Sequence, residues 1–265
     1  LPLTPPAAGT IARLGARPVF ADIDLDTYNI DIDDVRAKIT SRTKAVIPVH
    51  LFGQMVALEK IASELKSQGI RLIEDSAQAF GSVRYVDGKI MRAGTVGDIG
   101  CYSFFPTKNL GGCGDGGMVV TRDSATAERL KRLRVHGSGT TYYHDEIGIN
   151  GRLDAIQAAI LDIKLKYLES WNNERRKIAD YYKLLFKTND LSEFITAPAE
   201  LENNGHIYHQ YVIRVKSRRD DLMNYLNERG FAVRVYYPLS LHLQPCFKYL
   251  GCHEGDFPQS ETLSD

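Results

Sequence analysis

Ala45-Val46-Ile47-Pro48-Val49-His50 and Ile70-Arg71-Leu72-Ile73-Glu74 are short apolar runs, and between them Leu58, Ile61, Ala62 and Leu65 recur at three- and four-residue spacing until Gly69. Such runs read as buried strands, and the spacing between them is one face of a helix over roughly Val56 to Ser67. Strand, helix and strand in series lie side by side as a parallel pair, which makes the fold class α/β. Pro48 has no amide proton for a sheet ladder, so the first strand is expected to end near it. Chemistry in such sheets gathers at the carboxyl ends of strands. That singles out His50, Asp75, and whatever follows the next apolar run, Ile99-Gly100-Cys101-Tyr102-Ser103-Phe104-Phe105.

Outward from this unit the same alternation continues. Upstream, Arg17-Pro18-Val19-Phe20-Ala21-Asp22-Ile23 reads as a strand, and Asp31 as the N-cap of a helix carrying Val35 and Ile39 on one face. Downstream, Leu153, Ile156, Ile160, Ile163, Tyr167 and Trp171 predict one long helix from about Arg152 to Tyr181. Beyond it, Tyr211-Val212-Ile213-Arg214-Val215 reads as a strand, Arg219 to Arg229 as a helix stopped by Gly230, and Phe231 to Tyr236 as another strand. The expected organisation is a large α/β domain over 1–165 with a mainly parallel mixed sheet, then an interdomain helix and a small α+β domain over 166–265. The chain opens in Leu1-Pro2-Leu3-Thr4-Pro5-Pro6 and closes in Gln259-Ser260-Glu261-Thr262-Leu263-Ser264-Asp265, and neither stretch reads as a natural terminus. A chain truncated at both ends is expected.

Composition narrows the function. With 33 Lys+Arg against 33 Asp+Glu, the formal charge of zero argues against a general polyanion binder, so no nucleic acid is expected as a partner. No apolar run reaches the roughly 20 residues of a membrane helix, so no membrane partner is expected. The four cysteines, Cys101, Cys113, Cys246 and Cys252, have neither disulfide-scaffold density nor zinc-ligand spacing, and no metal is expected. These features suit a cytoplasmic protein.

Lys108 stands just past a strand end, between aromatics and the run Gly111-Gly112-Cys113-Gly114-Asp115-Gly116-Gly117. Desolvation there lowers a lysine pKa and frees its amine to attack carbonyls. Taken alone, Lys108 reads equally as a solvated loop lysine, and Asp75 as a turn-forming residue. Gly112, Gly114 and Gly117 match the spacing of a dinucleotide fingerprint, but they lead into a strand, Met118-Val119-Val120-Thr121, where that motif must open a helix. The glycines instead let backbone pack against the lysine loop.

Glu74-Asp75-Ser76-Ala77-Gln78, Ser103-Phe104-Phe105-Pro106-Thr107-Lys108-Asn109-Leu110-Gly111 and Gly114-Asp115-Gly116-Gly117 together resemble the DegT/DnrJ/EryC1/StrS family of pyridoxal-phosphate-dependent sugar aminotransferases. Val49 to Gln54, Leu133 to Gly137, Gly148 to Asp154, and Tyr237-Pro238 through Gln244 extend the resemblance over nearly the whole chain in family order. It implies a fold-type I transferase with pyridoxal 5'-phosphate as cofactor. Lys108 would form the internal aldimine and shuttle the proton between the substrate carbon and the cofactor. Asp75 would pair with the pyridinium nitrogen, an interaction on the order of 4 kcal/mol at ~4 Å and an effective dielectric of ~20. Gln78 resembles the residue near the cofactor's 3' oxygen, Ser103 the residue on its phosphate, and Asn150 the residue that reaches the phosphate from the neighbouring subunit. The implied assembly is a homodimer with a shared active site. The implied reaction is ping-pong transfer of an amino group, from L-glutamate, to a keto group of a nucleotide-linked sugar.

His242 and Tyr236 are candidates for the substrate region, although many members carry histidine where Tyr236 stands. Tyr142, Tyr143 and His144 read either as interface packing or as substrate contacts, Asn150 alternatively as a turn residue, and His50 as a residue that orients a loop. Two further departures concern the cofactor. The family's Gly-Thr phosphate loop precedes this chain's start, and the aromatic that many members place near Thr4 is absent, with none before Phe20. Two rival functions share the fold. A sugar dehydratase places histidine where Lys108 stands, and a non-catalytic regulatory homologue has no need to keep Asp75, Gln78, Ser103 and Lys108 together.

Overall fold

A computed structural model describes residues 5–264, so the Thr4 position lies outside the described residues. In chain order the elements are α1 (Pro5–Arg13), α2 (Ile32–Lys38), β1 (Ala45–Val46), α3 (Ala62–Ser67), β2 (Arg71–Asp75), β3 (Val83–Val86), β4 (Lys89–Arg92), β5 (Ile99–Ser103) and β6 (Gly117–Thr121). They continue with α4 (Ser124–Leu133), β7 (Ser138–Thr140), β8 (Tyr143–His144), α5 (Ala155–Leu165) and α6 (Leu168–Thr188). The last are β9 (Ile195–Thr196), β10 (Asn204–Gly205), β11 (Arg214–Val215), α7 (Arg219–Glu228) and α8 (Pro258–Thr262).

The central sheet has the order β1-β2-β5-β6. β1, β2 and β5 are parallel, with Ala45 opposite Arg71 and Asp75 opposite Cys101, and β6 closes the sheet antiparallel to β5. The fold is therefore α/β with a mixed, mainly parallel sheet. Pro48 interrupts the first strand as its chemistry requires, but the chain stays extended beyond it. Asp75 N donates to Pro48 O (2.9 Å), His50 N donates to Asp75 O (3.0 Å), and Val49 bridges Asp75 in parallel. This delivers His50 and Asp75 to the same carboxyl end.

The apolar face read between the strands is real, with Leu58, Ile61 and Leu65 buried against Ile23, Val35, Ile70 and Leu72. The helix itself is divided into a 3-10 turn at Leu58–Lys60 and α3, because Ile61 adopts φ −135° between them. Asp31 caps α2 by accepting from Asp33 N. No helix among the described residues is long and apolar enough to cross a membrane.

Three expected elements are corrected. Arg17 to Ile23 is extended but not a strand, because its polar groups bind elsewhere. Asp22 N donates to Asp34 Oδ2 (2.6 Å), the Asp22 carboxylate accepts from Gln259 N and Ser260 N, and Ile23 alone bridges Ile30. The long helix is two helices, α5 and α6, broken at Lys166–Tyr167, where Tyr167 has φ −102° and takes a turn bond to Lys164 O. Phe231 to Tyr236 forms no ladder. Asn227 occupies both backbone groups of Val233, donating to its carbonyl (3.3 Å) and accepting from its amide (3.2 Å).

Residues on either side of position 165 interlock. β10 pairs antiparallel with β3, and Gln54 binds the backbone of Ala199 and Leu201.

Candidate active site

Three parallel strands end together, and alternation along β2 sends its last two carboxylates to opposite sides. Glu74 faces the buried loop 94–97. It is fully buried and accepts from His50 Nε2 (2.8 Å), Gly94 N (2.8 Å), Val96 N (2.6 Å) and Gly97 N (2.6 Å). Burial opposes its charge, but the His50 bond and the backbone amides outweigh burial and hold the carboxyl below its ordinary range. His50 Nδ1 accepts from Val56 N (3.0 Å), so Nε2 carries the proton it donates to Glu74. His50 thus ties strand to loop, the orienting role read for it.

Asp75 points the other way. Burial raises its pKa, opposed by the Ala77 amide (3.1 Å) and by the nearby His50 and Lys108. Burial likewise lowers the pKa of the Lys108 ammonium, with Asp75 pulling against it. The two groups attract each other, yet among the described residues Lys108 closes no ion pair and its amine makes no hydrogen bond. An acid and an amine of opposite charge, both half-buried and desolvated, thus share a field without closing an ion pair.

The lysine loop is tight. Lys108 N donates to Phe105 O (2.9 Å) and Gly112 N to Phe104 O (2.8 Å). A Cβ on Gly111 would collide with the Pro106 carbonyl, and one on Gly116 would lie 2.9 Å from Leu153 Cδ1, so the close approach read from the glycine run is present. Ser103 ends β5 beside this loop, its Oγ accepting from Phe105 N (3.3 Å). Gln78 is buried with both ends of its amide engaged. Oε1 accepts from Phe52 N (2.8 Å) and Nε2 donates to Tyr237 OH (3.0 Å).

Asp75, Ser103 and Lys108 therefore come from adjacent strand ends and the loop that follows them, and Gln78 from the turn after β2. Tyr236 packs edge-on to Phe52 (6.1 Å) and beside Tyr237 (5.3 Å), in contact with the group that holds Gln78. Asn150 is exposed beyond the β7–β8 hairpin, accepting from Arg152 Nε (3.1 Å). His242 lies among other partners. It is buried, bonded to Glu261 (2.9 Å) and packed on Phe257, and the residues beside it, Phe20, Leu241 and Phe247, form a separate apolar cluster.

Sequence reading missed four residues here. Tyr237 and Phe52 hold Gln78, and both do so with backbone in the left-handed region, φ 56° and φ 54°. Asn109 is buried beside Lys108, and His209 binds it (2.8 Å) from far along the chain. The only sequence signals were their membership of the Val49–Gln54, Ser103–Gly111 and Tyr237–Gln244 stretches, and for His209 there was none.

The donor set suits pyridoxal phosphate. It offers a half-buried carboxylate and an amine of lowered pKa, neither in an ion pair among the described residues, together with a clamped amide and a strand-end hydroxyl. Ser76 Oγ is also buried without a partner next to Asp75.

Comparisons with known proteins agree with this geometry. The model of the DegT/DnrJ/EryC1/StrS aminotransferase family matches residues 6–265. A protein of Geobacillus stearothermophilus named a pleiotropic regulatory protein is 50% identical over 97% of this chain and 68% of its own length. A UDP-N-acetyl-3-dehydro-alpha-D-glucosamine 3-aminotransferase of Acidithiobacillus ferrooxidans is 42% identical over 97% of this chain and 67% of its own. Among solved structures, S. venezuelae DesV in complex with a ketimine intermediate superposes with a TM-score of 0.90 at 36% identity, covering 98% of this chain and 68% of that one. Fold, strand-end chemistry and likeness along the chain converge, and the chain belongs to the DegT/DnrJ/EryC1/StrS aminotransferase family.

Proposed function

We propose that this protein moves an amino group from an amino acid, L-glutamate, to the keto group of a nucleotide-linked sugar, with pyridoxal 5'-phosphate as cofactor. The observation that carries the reading is the Asp75–Lys108 pair, two desolvated groups of opposite charge that close no ion pair among the described residues. The bound cofactor supplies the electron sink that makes a carbon–hydrogen bond beside nitrogen acidic.

The chain's own residues supply the rest. Asp75 would offer an anionic oxygen to a cationic ring nitrogen, an attraction on the order of 4 kcal/mol for charges ~4 Å apart at an effective dielectric of ~20. Gln78 keeps a fixed orientation for the ring oxygen because Phe52 and Tyr237 occupy both ends of its amide. Ser103 gives a hydroxyl to the phosphate. Lys108 Nζ would hold the cofactor and would move a proton to and from carbon, a role that requires a free amine; burial favours that form. Asn150 reaches the phosphate of the neighbouring subunit in a homodimer, consistent with its exposure beside the uncovered Tyr142, Tyr143 and Ile147. Tyr236 borders the sugar.

Lys108 also separates this reading from a sugar dehydratase of the same fold, which has histidine there. Asp75, Gln78, Ser103 and Lys108 standing together argue against a solely regulatory role. The test uses purified protein with pyridoxal 5'-phosphate. Borohydride should fix the cofactor's mass on the peptide containing Lys108, and Lys108→Ala should abolish both this adduct and the lysine-bound absorbance. Glutamate and a panel of 3-keto and 4-keto nucleotide sugars should then release 2-oxoglutarate. A cofactor-loaded protein silent toward every keto sugar would redirect the assignment to another amino acceptor.

A further inference from the structure

Asn109, the neighbour of Lys108, is the middle of a chain of side-chain hydrogen bonds whose direction can be read from one end. The Phe80 carbonyl can only accept, so Asn172 turns Nδ2 toward it (3.3 Å) and presents Oδ1 to Asn109. Asn109 therefore donates through Nδ2 (2.8 Å), and only its Oδ1 remains for His209. At 2.8 Å from that oxygen, His209 Nδ1 must carry the proton, which leaves Nε2 with a free lone pair. Asn109, Asn172 and His209 are all buried, so none of these directions is free to be exchanged with water.

The ring is fixed from behind as well. His209 N donates to Phe52 O (2.8 Å) and Ile207 N to Gly53 O (3.1 Å), while Arg175 binds the carbonyls of Tyr208 (3.2 Å) and His209 (3.3 Å). Phe52 is also the residue that grips Gln78, so one loop places both side chains. Burial pushes the His209 pKa down to about 3, with the charges of Lys108 and Arg175 acting in the same direction. Nε2 has no hydrogen-bond partner among the described residues, and Lys108 is the charged residue next to Asn109.

We propose that His209 is a positioning residue for Lys108: the Phe80–Asn172–Asn109 relay fixes its Nδ1–H as the donor to Asn109, and through Asn109, the residue next to Lys108, it anchors the lysine loop. This rests on the reading of Lys108 as the amine that carries the chemistry. The other tautomer would leave Asn109 Oδ1 without its donor, and a charged ring would repel the Lys108 ammonium. The relay prevents the first and burial the second.

Two measurements on the full chain test it. Nitrogen-15 NMR of labelled histidine in the cofactor-free protein, with His209 identified by its disappearance in His209→Gln, should show a neutral Nδ1–H ring from about pH 5 to pH 8. In Asn172→Ala the two tautomers should mix. A wild-type Nε2–H ring, or an Asn172→Ala spectrum unchanged from wild type, overturns the relay. In the cofactor-loaded protein, His209→Leu should lower kcat about tenfold or more with KM unchanged, and His209→Gln, which keeps a neutral donor for Asn109 Oδ1, should recover most of the loss. Equal losses in Leu and Gln variants, or a change in KM alone, overturn the positioning role. Failure of Lys108 to capture the cofactor would instead sink the transaminase reading, and the NMR result would still decide the relay.

Discussion

Asp75 and Lys108 are costly residues for the fold. The folded-state pKa of Asp75 is raised by burial, so its neutral form is the one the fold favours, and that contribution is lost as pH rises through the folded value. At neutral pH the cofactor-free protein therefore carries a carboxylate it would be more stable without. Asp75→Asn should raise the Tm of the cofactor-free protein by a few degrees while lowering transamination at least about a hundredfold, because a neutral amide cannot hold a ring nitrogen cationic. Scanning calorimetry and the 2-oxoglutarate assay measure the two effects, and a variant both less stable and fully active would contradict this account of Asp75. Tyr237 makes the complementary case. Tyr237→Phe keeps the ring packed on Phe52 but strips Gln78 Nε2 of its acceptor, a loss of about 1–3 kcal/mol at a buried group. Weaker cofactor binding with little change in fold is the expected outcome, read by equilibrium titration of the cofactor absorbance.

Elements explain which of these features the sequence made legible. β2 and β5 announce themselves locally, since the apolar runs Ile70–Glu74 and Ile99–Phe105 contain most of both strands, and strand–helix alternation makes their carboxyl ends, Asp75 and Ser103, coincide. The lysine loop follows β5 by chain continuity, so it too was within reach. His209 was not, because 100 residues separate it from Asn109 and only tertiary packing brings them together. Phe52 and Tyr237 were illegible for another reason. Left-handed backbone is unfavourable for aromatic residues, and no local preference predicts it. The split between α5 and α6 and the missing strand at Phe231 to Tyr236 belong to the same class, where an apolar pattern did not fix the backbone and local hydrogen bonding decided otherwise. Gly81 shows how one backbone position serves an element contact. Its φ is 96°, and a Cβ there would lie 2.7 Å from Asn172 Nδ2. Gly81→Ala should destabilise the protein by about 1–3 kcal/mol in urea denaturation and push Asn172 off the Phe80 carbonyl. The same mixture of His209 tautomers as in Asn172→Ala should appear; a single unchanged tautomer would mean that α6 tolerates the shift.

At the scale of the whole molecule, two effects reach beyond the site. Burial pushes the pKa values of His206 and His209 both down to about 3, whereas the unfolded chain titrates near 6.5. Between these values the unfolded state binds protons that the native state refuses, so stability falls as pH drops, by about 1.4 kcal/mol per pH unit for each histidine. Urea midpoints should therefore decline steeply below about pH 6, and His206→Gln should flatten part of the slope. The second effect concerns surface. Ile147 and Ile156 are 98% and 75% exposed, and Tyr142, Tyr143, Ile149 and Ile163 are uncovered with them, on the β7–β8 hairpin, the loop after it and α5. With a formal net charge of zero, nothing general keeps such surfaces apart in solution. If they meet in the proposed homodimer, with Asn150 beside them, assembly and cofactor binding are linked, and each strengthens the other by mass action. Ile147→Asp combined with Ile156→Asp should sediment as a monomer and bind pyridoxal 5'-phosphate at least about tenfold more weakly, although neither residue lies near Lys108 in sequence. A double variant that stays dimeric would move the interface elsewhere, and a monomer with undiminished cofactor affinity would remove Asn150 from the site.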